Sequence, residues 1–237
     1  MRKIVLCFCV YLLGLPPLFS QTLDELYENA LRDAAYPESR EISDSLLVID
    51  KKTPNLVWKT IDNQEYVLAV SWVMDKTYFE KSPTYENGER IVWLTLAPQL
   101  RKFAQNYAIQ YGKEKVALRM EQLLGLPPNS KHEFFVEMWV RPQDICRPCW
   151  DAEISDNRCE LCKPANIDAD YAAWFYQLRA ESYANCYLYD KFPWTQLGYT
   201  YDWHPENKTH HGLSEFIIWK NKKVIIHKIY TNEEYSN

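Results

Sequence analysis

The amino-acid sequence predicts an α+β fold, a mainly antiparallel sheet with helices packed on it, in a single domain. Stretches with helical periodicity mix with stretches rich in Val, Ile, Trp and Tyr, without the regular βαβ alternation of a parallel sheet. Two strand-like stretches flank Asp62-Asn63, a pair that tolerates positive φ and suits a tight antiparallel turn. The 237 residues, 47% hydrophobic and 25% charged, contain no linker-like break and no internal repeat, so one core accounts for them.

Residues 1–20 have the layout of a secretory signal peptide. Arg2 and Lys3 precede the apolar run Ile4–Leu15, and Leu18-Phe19-Ser20 offers a cleavage stretch before Gln21. The run is short for a bilayer span of ~20 residues, which disfavours an uncleaved anchor. Cys7 and Cys9 sit inside it rather than after it, unlike a lipoprotein cysteine. Residues 21–237 are therefore expected to be exported, periplasmic or extracellular, with no membrane span.

The remaining elements follow in order. Leu23, Leu26, Tyr27, Ala30, Leu31 and Ala34 predict a helix over 22–35, ending before Pro37. Residues 45–49 read as a short buried strand. The segments 55–61 and 64–73 form the hairpin, 80–89 a loop and 90–96 a further strand. Leu100, Phe103, Ala104, Tyr107, Ala108 and Tyr111 form one apolar stripe, with Pro98 in the first turn and Gly112 as the stop. A second helix spans 114–124, a strand 132–140, and a third helix about 167–183. Residues 192–204 are an irregular aromatic stretch. Strands 214–219 and 224–230 close the chain, read as a hairpin whose Lys220, Lys222, Lys223 and Lys228 discourage pairing at a solvated edge.

Losing Arg2 and Lys3 with the signal moves the net charge from −5 to −7, which argues against a nucleic-acid partner. Cys146-Arg-Pro-Cys149 and Cys159-Glu-Leu-Cys162 are the most specific chemical signal. Two such pairs can hold a structural zinc through four thiolates. Export favours disulfides instead, and local acids such as Asp151 and Asp156 disfavour a redox role. Spacing does not choose among the pairings, and Cys186 leaves the count odd. No cofactor is expected beyond that possible zinc.

His204, His210, His211 and Glu215, with Asp202, place several acid–base and ligand types within fourteen positions. No HExxH or nucleophile elbow accompanies them. They are the catalytic candidates, against a plain polar loop. Asn207-Lys-Thr209 matches a glycosylation sequon. Nine Trp, seventeen Tyr and nine Phe make 15% of the chain, and Trp194, Tyr199, Tyr201 and Trp203 concentrate that excess. Extended, they could present rings to a sugar or a partner protein. Alternatively they roof the sheet.

The segments Leu123–Pro128, Arg147–Cys149, Pro193–Trp203 and Gly212–Phe216 resemble a family of exported bacterial proteins of uncharacterised function. The resemblance covers roughly the second half of the chain. It implies bacterial export and carries no catalytic residue or ligand. Two functions are expected from these residues: a non-enzymatic module binding a partner protein or envelope glycan through 193–203, or a zinc-dependent or acid–base hydrolase using 202–215.

Overall fold

The computed structural model describes residues 21–237, so the signal-peptide expectation lies outside the described residues. Helix α1 (Leu23–Ala34) starts at a capping box. Thr22 accepts the Glu25 N–H while the Glu25 carboxylate accepts the Thr22 N–H, satisfying two otherwise orphaned donors. Its face Tyr27, Ala30, Leu31 and Ala34 is buried, as the spacing requires. Residues 45–49 do not form a strand. Leu46 and Ile49 are buried, but their N–H groups donate to Asn157 and Ile154 carbonyls in an irregular loop rather than to a ladder.

Strands β1 (Trp58–Ile61) and β2 (Gln64–Val73) pair antiparallel around Asp62 (φ 50°) and Asn63 (φ 59°), the two-residue turn expected. The expected loop 80–89 instead carries the end of α2 (Thr77–Glu80) and the short strand β3 (Thr84–Glu86). Then follow β4 (Val92–Leu96), α3 (Ala97–Tyr111, stopped by Gly112 at φ 98°), α4 (Val116–Leu123), β5 (Phe134–Val140) and β6 (Ile145–Cys146). After the cysteine loop come α5 (Ala169–Ala184), β7 (Tyr199–Tyr201), β8 (His211–Ser214), β9 (Phe216–Ile218), β10 (Lys223–Thr231) and α6 (Asn232–Tyr235).

The main sheet has eight strands in the order β3-β10-β5-β2-β4-β9-β6, with β1 also on β2, and every pairing is antiparallel. The fold is α+β, as predicted. One face buries Val67, Ala69, Leu94, Leu96, Val136, Met138 and Phe216. The other packs Leu68, Val70, Trp72 and Phe135 against Leu100 and Ala104 of α3 and Met120 of α4, while Trp93 and Ile217 meet Tyr171 and Phe175 of α5.

The final two strands do not form the expected hairpin. β9 pairs with β4 and β6, whereas β10 lies between β3 and β5. Lys220–Lys222 therefore cross from one part of the sheet to the other, and Asn87 ties that crossing to the β3–β4 connection. Its side-chain amide donates to the Arg90 and Trp219 carbonyls, and its oxygen accepts the Lys222 N–H. The basic patch is paired here rather than bare: Lys220 with Glu89, Lys222 with Asp144 and Lys223 with Glu86.

The four cysteines form neither a zinc cage nor two bridges. Cys149 and Cys159 are bonded to each other and buried, whereas Cys146, Cys162 and Cys186 are free. The intervening loop folds over the fully buried Arg147, whose Nη2 donates to the Leu47 and Asp156 carbonyls. This wrapping keeps Cys146 on β6 and leaves Cys162 at the surface. Burial pushes the Cys146 thiol up to about 12. Native protein is thus expected to react with a thiol reagent at Cys162 and Cys186 alone, with Cys146 joining on unfolding and Cys149 and Cys159 only after reduction. The Cys149→Ser/Cys159→Ser double variant should lose about 2–3 kcal/mol of stability in urea unfolding, as the opened loop is short.

Candidate functional site

The sheet is joined across its middle by only two residue pairs, Ala69 with Leu96 and Val70 with Thr95. Beyond Val70, β2 continues with β5 as far as Val73, while β4 from Leu94 back to Val92 stays with β9. The two strands diverge there. Val73 O accepts from Glu133 N beside β5, so alternation turns the Trp72 N–H and C=O toward β4. By the same alternation Trp93 turns its own toward β2. The backbones of these two tryptophans face each other across the opening without a ladder bond.

A cavity of about 570 Å³ fills this wedge. Trp72 forms one wall, Trp93 and Thr95 the other, and Ser182 of α5 closes it with Trp194 and Tyr201. The exposed Met74 and Tyr78 mark its outer end, with Asp75 and Arg90 beside them. Trp93 and Trp194 stand almost perpendicular, at 82° with centroids 6.4 Å apart, so two ring surfaces meet at a corner. The separation of Trp72 from Trp93 follows from their packing. Trp72 stacks on Phe135 in the α3 layer, and Trp93 packs with Trp174 in the α5 layer.

Residues 193–203 are locked inward by their own polar atoms. Trp194 Nε1 donates to Pro148 O, Trp203 Nε1 to Leu126 O, Tyr199 Oη to Glu41 O and Tyr201 Oη to Asp33 Oδ2. Thr200 Oγ1 donates to Leu123 O and accepts Leu213 N–H. A Cβ at Gly212 would lie 2.5 Å from the Thr200 carbonyl, so the strand pair β7–β8 closes only around a glycine. Trp194, Tyr199, Tyr201 and Trp203 are 5, 5, 6 and 2% exposed. The external contact surface expected of these rings is thus absent, because each polar tip reaches a partner inside the domain. Trp194 and Tyr201 line the cavity; Tyr199 and Trp203 pack elsewhere in the core.

The 202–215 group does not gather its side chains at one point. Asp202 is buried and committed to structure, accepting both Arg119 Nη atoms (3.0 and 2.6 Å), the His204 N–H and the Asn207 amide. That use of Asn207 Nδ2, together with a bond to His211 O, occupies the sequon nitrogen. His210 stacks on Tyr201 and His211 packs on Tyr199. His204 Nδ1 accepts the Glu206 N–H, and burial followed by the nearby Arg119 charge lowers its pKa. Among the described residues the one converging set of three potential metal ligands is Asp151, Glu153 and Asp156, which includes none of these histidines, no cysteine and not Glu215.

Glu215 goes a different way. Its backbone N–H donates to Gly198 O, and the alternation of β9 sends its side chain to the face of Ile217 and Trp93. There it lines the cavity. Among the described residues its carboxyl has no hydrogen bond and no ion pair, and burial alone pushes it up to about 8. Thr95 Oγ1, on the same wall, is also buried without a partner. Tyr183 stands near Glu215 with its hydroxyl donated to the Ala34 and Trp194 carbonyls.

The segments Leu123–Pro128, Arg147–Cys149, Pro193–Trp203 and Gly212–Phe216 contact one another beside the cavity. Besides the Thr200–Leu123 and Trp194–Pro148 bonds, Cys149 bridges Leu197, and Glu215 reaches Gly198. Trp72, Trp93, Thr95 and Ser182 were not among the candidates read from the sequence. Alternation puts both tryptophans on one face of their strands, but no local signal announces that those strands part. Comparisons with protein-family models, curated proteins and solved structures found no match.

Proposed function

We propose that the protein is an exported binding domain that holds a small, largely apolar organic ligand in the cavity between β2 and β4. The observation that carries this reading is a cleft of about 570 Å³ walled by three tryptophans, with one unpaired carboxyl inside. Ligand sites are typically concave, mostly apolar and furnished with few polar groups, at volumes of roughly 300–1,000 Å³. Burial of Trp194, Tyr199, Tyr201 and Trp203 favours such an internal ligand over a partner protein or glycan held on their outer surface. The Cys149–Cys159 bond and the absence of a membrane-crossing helix among the described residues support export to an oxidising compartment, periplasmic or extracellular.

The neutral fluorophore N-phenyl-1-naphthylamine tests the reading. Wild-type protein should bind it saturably at one site, with quenching of tryptophan emission. The cavity-filling variant Ser182→Trp, checked for native thiol reactivity, should bind at least about tenfold more weakly. Absence of saturable binding by the folded wild type would overturn the proposal.

A further inference from the structure

We propose that the cavity selects ligands carrying a protonated amine, with Glu215 as the counter-charge and Trp93, Trp194 and Tyr201 as the surrounding ring faces. This deepens the binding-domain reading and rests on it. Glu215 is half-buried on the cavity wall and has no cationic partner and no donor among the described residues, though a carboxylate withdrawn from bulk solvent ordinarily has both. The buried carboxylates of Asp202, Asp144 and Glu121, by contrast, are served from within the chain. Asp202 has Arg119, Asp144 has Arg141, and Glu121 receives the Asn129 and Ser130 N–H groups.

The walls fit the same charge. Aromatic faces attract a cation through their quadrupole, most strongly where water is excluded, and indoles do so best. The perpendicular pair Trp93 and Trp194 presents two such surfaces on the Glu215 side of the wedge. The one cationic side chain on the cavity wall, Arg90, is held at the outer end over the Tyr78 ring, 4.5 Å from its centroid. The apolar remainder of the cavity takes a hydrocarbon or aromatic body. The ligand class is therefore an aryl- or alkylamine rather than an acid.

The charges balance in a simple way. Burial keeps Glu215 protonated near neutral pH in the empty cavity. An ammonium entering converts the carboxyl to a carboxylate, and the released proton passes to solvent. Asp75, Tyr78, Tyr85, Arg90, His132 and Tyr201 are the other titratable groups on the cavity wall, Tyr183 stands near it, and all are unchanged in the variant used below.

Calorimetry with 2-phenylethylamine and the isosteric 2-phenylethanol at pH 7 separates the possibilities, run in two buffers of different ionisation enthalpy. Wild type should bind the amine at least about tenfold more tightly than the alcohol and release close to one proton per amine. Glu215→Gln should keep the alcohol affinity and lose both the preference and the proton release. Equal or tighter binding of the alcohol by wild type would overturn the amine assignment while leaving the binding domain intact. Binding of neither probe, together with no binding of N-phenyl-1-naphthylamine, would remove both. An amine preference that survives in Glu215→Gln would overturn the role given to Glu215.

Discussion

Asp202→Ala is expected to cost about 3–5 kcal/mol of stability, because it breaks a buried ion pair. The carboxylate joins α4 to the segment following β7 by accepting four donors, two of them from the Arg119 guanidinium. Arg119 is itself buried, with its guanidinium carbon 4.9 Å from the Phe103 ring centroid. Removing Asp202 leaves a positive charge in the interior with no compensating carboxylate, and the penalty is mostly that of the stranded cation. The double variant Arg119→Met/Asp202→Ala should therefore recover much of the loss. Urea unfolding of the wild type, both single variants and the double variant gives the coupling energy directly. A loss below about 1 kcal/mol for Asp202→Ala would show that the pair does not hold the segment.

The second large effect depends on pH. The Glu215 carboxyl sits at about 8 in the folded protein against 4.5 for an ordinary glutamate, with burial as the cause. Between those values the unfolded chain gives up its proton while the folded chain retains it. Stability present at low pH is thus withdrawn as pH rises through the window from about 4.5 to about 8. Glu215→Gln has the same shape and no charge to desolvate. It should match the wild type near pH 4.5 and exceed it by about 3–5 kcal/mol at pH 8.5. The comparison within one pH isolates Glu215, because His132, His204 and the buried tyrosines titrate equally in both proteins. A difference independent of pH would mean that the carboxyl is not confined in this way.

Much of this architecture can be read from local pattern. The Asp62-Asn63 turn, the capped helix after Thr22, and the apolar stripe from Leu100 to Tyr111 each depend on residues close together in the chain. Their physical causes are equally local: positive φ, orphaned N–H groups and one buried helix face. Where the outcome depends on remote partners, the pattern misleads. Residues 45–49 have a strand's composition, yet the backbone opposite them is the cysteine loop, which offers single bonds and no ladder. The last two strands are near in sequence but choose β4 and β5 as partners. Glu215 entered the list of candidates as a neighbour of histidines and has its place for another reason, the face it shares with Ile217. The cavity itself was not legible, because it exists only where β2 and β4 separate. The aromatic segment was legible as a dense core, and its inward anchoring follows from carbonyls up to 162 positions away.

The order of the strands has a bearing on how the chain is made. One half of the sheet draws on β2, β3, β5 and β10, and the other on β4, β6 and β9, so the halves are interleaved along the polypeptide. Neither half is a contiguous segment that could condense early and wait for the other. The strand between β3 and β5, Lys223–Thr231, follows every other strand of the sheet in the chain. Until then β5 lacks one neighbour and β3 lacks its partner altogether. Long-range pairing of this kind is slow to nucleate. A chain with this strand order completes its sheet only once β10 has been made and has found β3 and β5.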